Sequence, residues 1–114
     1  MIIAEVVSGL PAVYLTPKRQ SDVLISGGYA CDLLSLVIAG VKNDEAWFTI
    51  LNRMNVVAVA VLSECALVVL TEGVTMEQNV IDRAIERKVT IVSTNLSTYA
   101  ACVRLNALLT ASPV

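Results

Sequence analysis

The stretch Asn55-Val56-Val57-Ala58-Val59-Ala60-Val61-Leu62, followed by Ser63-Glu64-Cys65-Ala66 and then Leu67-Val68-Val69-Leu70, decides the fold. Val56, Val57, Val59 and Val61 favour a strand, whereas Ala58 and Ala60 favour a helix. Propensity leaves the segment undecided, and spacing resolves it. Ala46-Trp47-Phe48-Thr49-Ile50-Leu51 reads as a strand by its aromatic and β-branched content. Leu67–Leu70 is a short continuous apolar run, the pattern of a strand buried on both faces. Residues 52–66 lie between the two, and a parallel crossover needs roughly a dozen residues or more. The segment Asn55–Ser63 is therefore expected to be a helix, with Asn55 as its N-cap.

The same logic extends in both directions. Upstream, Asp32 stands before Leu33-Leu34-Ser35-Leu36-Val37-Ile38-Ala39, and Gly40 follows: an N-cap, an apolar helical run and a C′ glycine in order. Nearly every face of that helix is apolar, so it belongs between layers or in an interface. Asn43-Asp44 marks a turn. Asp22–Ser26 reads as a buried strand ending in Gly27-Gly28, after the polar loop Thr16–Ser21. Ala12–Leu15 is a short strand, and Ile2–Leu10 a short first helix broken at Gly9 and Pro11.

Downstream, Thr75-Met76-Glu77-Gln78 has the form of a capping box. The helix it opens carries Met76, Val80, Ile81, Ala84 and Ile85 on one stripe and Glu77, Asp82, Arg83, Glu86 and Arg87 opposite. Thr90–Ser93 is another buried strand. Thr94–Ser97 leads into a last helix over Thr98–Leu109, with a fraying tail to Val114. Alternating strands and helices predict a three-layer α/β/α sandwich around a mainly parallel central sheet of four to six strands, with right-handed crossovers and helices on both faces. Residues 1–114 are expected to form one domain.

In open α/β sheets, ligands bind outside the carboxyl ends of the strands. Those ends supply Ser26, Gly27, Gly28, Thr49, Thr71, Glu72 and Thr94, and the following helix starts supply Asp32 and Asn55. Together they are the candidate pocket for a small polar or anionic ligand, because helix N-termini there offer free N–H groups. The same residue types also serve as caps and turns in any βα loop. Gly27-Gly28 lacks the GxGxxG spacing of a dinucleotide site, and no Gly-Lys-Ser/Thr follows. Trp47, beside Phe48 in a strand, reads as core rather than as a stacking platform.

Composition narrows the function classes. The chain has 114 residues, is 56% hydrophobic and only 16% charged, and contains no histidine. Disorder is excluded. So are Ser-His triads, imidazole acid–base work and His metal sites. No catalytic carboxylate pair and no metal-ligand cluster is visible, so no catalytic residue, cofactor or metal is expected. A formal charge of −2 with eight Lys and Arg disfavours nucleic acid. Met1-Ile2-Ile3-Ala4-Glu5 lacks a basic n-region, and Ser63 and Glu64 interrupt the most apolar window, so neither a signal peptide nor a membrane span is expected. Cys31, Cys65 and Cys102 match no ligand spacing and read as free thiols in a reducing cytoplasm. The apolar content exceeds the ~45–50% of an average domain. It points to a homodimer through Leu33–Ile38 or Val56–Leu62.

The ordered set of segments from Asp22 to Leu105 resembles the DRTGG domain family. Gly28-Tyr29-Ala30-Cys31-Asp32-Leu33-Leu34-Ser35 is similar to the family's Gly-Asp-Leu-Leu-Ser-type segment, and Trp47-Phe48-Thr49 follows a short turn as in the family. Asn55–Leu62 resembles its helical Asn-x-x-Ala-Val-Ala segment. Ile91-Val92-Ser93-Thr94 and Ser97-Thr98-Tyr99 resemble its last strand and the loop after it. The literal Asp-Arg-Thr-Gly-Gly string is absent, and Ser97 stands where many relatives carry Asp-Thr. The resemblance implies a fold like the N-terminal domain of HPr kinase/phosphorylase. It also implies an accessory regulatory role, as in phosphotransacetylases and between CBS domains of some inorganic pyrophosphatases; stand-alone versions occur near genes for iron hydrogenases and serine kinase-like proteins. It carries no catalytic residues. The expected function is a non-enzymatic regulatory or sensing module for a small anionic ligand, a nucleotide among the candidates, or for a partner enzyme. The alternatives are an adaptor without a small ligand, and a small phosphoryl-handling enzyme using Asp32, Glu72 and the loop hydroxyls.

Overall fold

Residues 1–18 and 23–111 are described by a computed structural model. Five strands form one sheet: β1 (Ala12–Tyr14), β2 (Gly27–Ala30), β3 (Glu45–Thr49), β4 (Leu67–Leu70) and β5 (Ile91–Thr94), in the order β1-β5-β4-β3-β2. β2 to β5 are mutually parallel, and β1 runs antiparallel along β5. The helices are α1 (Ile3–Gly9), α2 (Leu34–Gly40), α3 (Met54–Ser63), α4 (Gln78–Glu86) and α5 (Thr98–Thr110). The valine-rich segment is thus the crossover helix α3, as the spacing predicts, and the sandwich with its mainly parallel sheet is present.

β4 and β5 are buried at every position, and Trp47 and Phe48 of β3 point to opposite sides of the sheet. Trp47, Val68, Leu70 and Ile91 pack with Val37 of α2, Val56, Val57 and Val59 of α3, and Val80 and Ala84 of α4. Phe48, Leu67, Val69 and Val92 pack with Ile3, Val6 and Val7 of α1 and Ala101 and Leu105 of α5. The parallel strands follow one another in a single direction, so crossovers of one hand place α2, α3 and α4 together on one face. The two outer helices α1 and α5 cover the other. The order never reverses among the parallel strands, so the sheet has no topological switch point of the doubly wound kind.

Several local expectations are corrected. The strand expected over Asp22–Ser26 lies further on, at Gly27–Ala30; Leu24 makes only an isolated bridge to Ile2, and Asp22 lies outside the described residues. A Cβ on Gly28 would sit 3.0 Å from Phe48 and 3.1 Å from Leu105, so the glycine lets α5 lie close on β2. Asp32 does not cap α2, whose N-cap is Leu33, and Gly40 is the last helical residue rather than C′. The N-cap of α3 is Arg53, which puts Asn55 inside the first turn. The capping box at Thr75 does not form, because α4 starts at Gln78 behind Glu77. Asn52 Nδ2 donates to the Thr75 carbonyl at 2.8 Å and Ser93 Oγ to that of Val74 at 2.6 Å, and both Val74 and Thr75 lie outside the helix. The polar loop over Thr16–Ser21 and the tail to Val114 fall partly outside the described residues.

Candidate functional site

The carboxyl edge of the parallel strands is a row of four βα loops cross-linked in series. Asp32, after β2, reaches across to β3: its Oδ1 accepts from Thr49 Oγ1 at 2.7 Å and from the Ile50 N–H at 3.0 Å. Asn52, after β3, donates to Thr75 in the β4–α4 loop. Glu72, after β4, accepts the Thr98 N–H at 2.9 Å on Oε2, at the start of α5. Thr71 and Thr98 share a hydroxyl–hydroxyl hydrogen bond of 2.6 Å. Each link ties the loop of one strand to that of the next.

The β4–α4 loop owes its shape to two left-handed residues, Glu72 (φ 59°) and Gly73 (φ 71°), with the Val74 N–H bonded to the Thr71 carbonyl at 3.1 Å. Positive φ at both central positions is the requirement of a type I′ turn. Glycine meets it without strain, while Glu72 is held there by its carboxylate on Thr98 and by its N–H on the Leu96 carbonyl at 2.8 Å. Thr94 is buried. Its hydroxyl donates to the Leu10 carbonyl at 2.8 Å and accepts the Leu96 N–H at 3.2 Å.

The nine expected site residues therefore divide. Asp32, Thr49, Asn55, Thr71, Glu72 and Thr94 gather at the carboxyl edge. Ser26, Gly27 and Gly28 do not, because the shift of β2 moves them to its amino end, where Ser26 Oγ donates to Asp44. There they border a cavity of about 480 Å³ between β2 and α5 that also touches Phe48 and Leu105. A second cavity of about 510 Å³ opens at the amino edge, beside Glu64, Cys65 and Thr90. Residues that the sequence did not single out are Asn52, Arg53 and Thr98. A polar pair directly before an apolar helix is the available signal for the first two, whereas Thr98 is recognisable only once β4 and β5 are known to be neighbours.

The hydroxyls of Thr49, Thr71 and Thr94 and the carboxylates of Asp32 and Glu72 all bond to the protein itself. Asn55, Arg53 and Gly73 are exposed. Trp47 is core, with its Nε1–H on the Cys31 carbonyl at 2.9 Å, just before Asp32. Burial pushes the Cys65 and Cys102 thiols above their usual range. Among the described residues no group of three or more His, Cys, Asp or Glu could hold a metal ion, and no helix is long and apolar enough to cross a membrane.

Comparison with known proteins gives two findings. The DRTGG domain model matches residues 34–108. The crystal structure of the CBS and DRTGG domains of the regulatory region of Clostridium perfringens pyrophosphatase, complexed with its activator diadenosine tetraphosphate, superposes with a TM-score of 0.76 at 14% sequence identity. The match covers 99% of this chain and 48% of that one, so the chain spans about half the length of that regulatory region. No curated protein matches the chain.

Proposed function

The chain belongs to the DRTGG domain family, and from that premise we propose that it is a non-catalytic regulatory module that senses a small anionic ligand, nucleotides first among them, at the carboxyl edge of its sheet. The observation that carries this reading is the serial linkage of the four loops through Asp32, Asn52 and Glu72. Edge groups held by internal bonds form a preorganised rim, and a ligand that displaces one link disturbs the next. Arg53 at the N-cap and Asn55 in the first turn of α3, both exposed, would face the anion, with the helix dipole behind them. The activator named for the structurally similar pyrophosphatase region makes dinucleotides the first probes. The reading treats residues 1–114 as one domain working in a reducing cytoplasm, with Cys31, Cys65 and Cys102 as free thiols.

Thermal shift against ATP, diadenosine tetraphosphate and acetyl phosphate tests it. A ligand at a hundred times its Kd stabilises by about 2.7 kcal/mol, which raises Tm by roughly 10 °C in a domain of this size. Arg53→Ala is expected to remove most of that shift and leave the ligand-free Tm unchanged. No shift with any probe overturns the sensing role and leaves that of an adaptor.

The same reading includes a homodimer. Leu33 (58% exposed) and Leu36 (52%), three residues apart at the start of α2, form an uncovered apolar patch. Sedimentation equilibrium is expected to give twice the 12.2 kDa chain mass, and Leu36→Asp to return it to the single-chain value. The 12.2 kDa mass for the unaltered chain overturns the dimer.

A further inference from the structure

α3 and α4 lie side by side and leave a groove of about 220 Å³ between them. Val57 forms its floor, and Met54, Ala58 and Leu62 line one bank. These three recur at i, i+4 and i+8 and so make a straight stripe along α3. Leu62 is 69% exposed, the second most exposed large apolar side chain among the described residues after Tyr99. The helix Met-Asn-Val-Val-Ala-Val-Ala-Val-Leu-Ser carries no charge anywhere, and beyond Asn55 in its first turn its exposed side chains, Ala58 and Leu62, are apolar. The opposite bank carries Arg83 and Arg87, also four residues apart. Among the described residues Arg83 forms an ion pair with its own helix neighbour Glu86, 3.5 Å away, and both side chains are open to water.

An apolar stripe flanked by a parallel row of guanidinium groups is the complement of a helix with an apolar stripe and a row of carboxylates beside it. We propose that the α3–α4 groove docks an acidic amphipathic helix of a partner protein. A second copy of this chain fits less well. An isologous contact brings both copies' Arg83 and Arg87 into one interface, where like charges repel. The chain's own amphipathic stripes are also already covered: Ile3, Val6 and Val7 of α1 and Val80 and Ala84 of α4 are buried in the core. The proposal rests on the regulatory reading only in requiring a partner protein. It does not depend on a ligand at the carboxyl edge.

The test uses the full chain and two synthetic helical peptides with leucines at i, i+4 and i+7, one flanked by glutamates and one by lysines. Fluorescence anisotropy is expected to show saturable binding of the glutamate peptide, which weakens as salt rises. The double variant Arg83→Glu, Arg87→Glu is expected to lose about tenfold or more in affinity for it and to gain affinity for the lysine peptide. If that variant does not fold, Arg83→Gln with Arg87→Gln reports the same loss without the reversed charge. Leu62→Asp, at an exposed position, is expected to abolish binding while Tm holds. Equal affinity for the two peptides, or no saturable binding, overturns the proposal. So does a Leu62→Asp variant that converts a dimer to a monomer and leaves peptide binding unchanged. Nucleotide thermal shifts are read separately, so failure of the groove and failure of the ligand seat are distinguishable.

Discussion

Trp47→Ala is expected to lower unfolding stability by about 3–5 kcal/mol, the range for truncating a large buried aromatic. Against a typical total of about 5–15 kcal/mol, that leaves a marginal protein. The indole is fully buried in the middle of the sheet, under the face roofed by α2, α3 and α4. Its loss removes the largest side chain of that cluster and opens a cavity that the β-branched neighbours Val37, Val56 and Val68 are poorly shaped to fill. It also leaves the Cys31 carbonyl without the Nε1–H that holds it. Trp47→Phe separates the two effects: most of the ring volume stays, and the loss should fall to about 1–2 kcal/mol for the hydrogen bond and the remaining gap. Urea unfolding of the three proteins measures this. A Trp47→Ala loss below about 1 kcal/mol contradicts the central place given to the ring.

Thr94→Val is expected to cost about 2–6 kcal/mol, although the two side chains have nearly the same shape. The hydroxyl serves two backbone groups, the Leu10 carbonyl and the Leu96 N–H, and the substitution leaves both without it. Each such orphan costs about 1–3 kcal/mol. The result separates two roles for a residue in the candidate site. If Thr94 braces the α1–β1 turn and the β5–α5 loop, Thr94→Val lowers Tm, while nucleotide-induced shifts in the folded fraction persist. An unchanged Tm with lost ligand shifts would instead make Thr94 a ligand contact.

The parts of the fold that were legible in the sequence are those whose signal lies in bulky side chains. Leu67–Leu70 is a strand at those very residues, and α5 begins at Thr98 as read. Ser97 is its N-cap, accepting the Ala100 N–H at 3.0 Å. The strand β2 was not legible, because two of its four residues are glycines, which present no side chain to count. The apolar Val23-Leu24-Ile25 next to them drew the assignment instead. Asp32 and Thr75 show the limit of local capping rules. Both have the right residue type beside a helix, yet a neighbouring strand or loop competes for them: Asp32 bonds to Thr49 and Ile50, and the carbonyl of Thr75 is held by Asn52. The gathering of six candidate residues at one edge follows from strand direction alone. The links among them depend on which strands are neighbours, and a single sequence does not contain that.

The two faces of the sheet are completed at different moments of synthesis. α2, α3 and α4 each sit between the strands they connect, so the face they cover closes as the chain lengthens. The other face waits. α1 precedes all five strands, but Ala101 and Leu105 come from α5, which follows them and packs back over β2 and β3. A nascent chain that has emerged through Thr94, but not yet through α5, therefore carries all five strands with Phe48, Val69 and Val92 only half roofed. That interval is when the molecule is most exposed to self-association. A chain terminated before Thr98 would leave that face open permanently, because α5 is the element that closes it over β2 and β3.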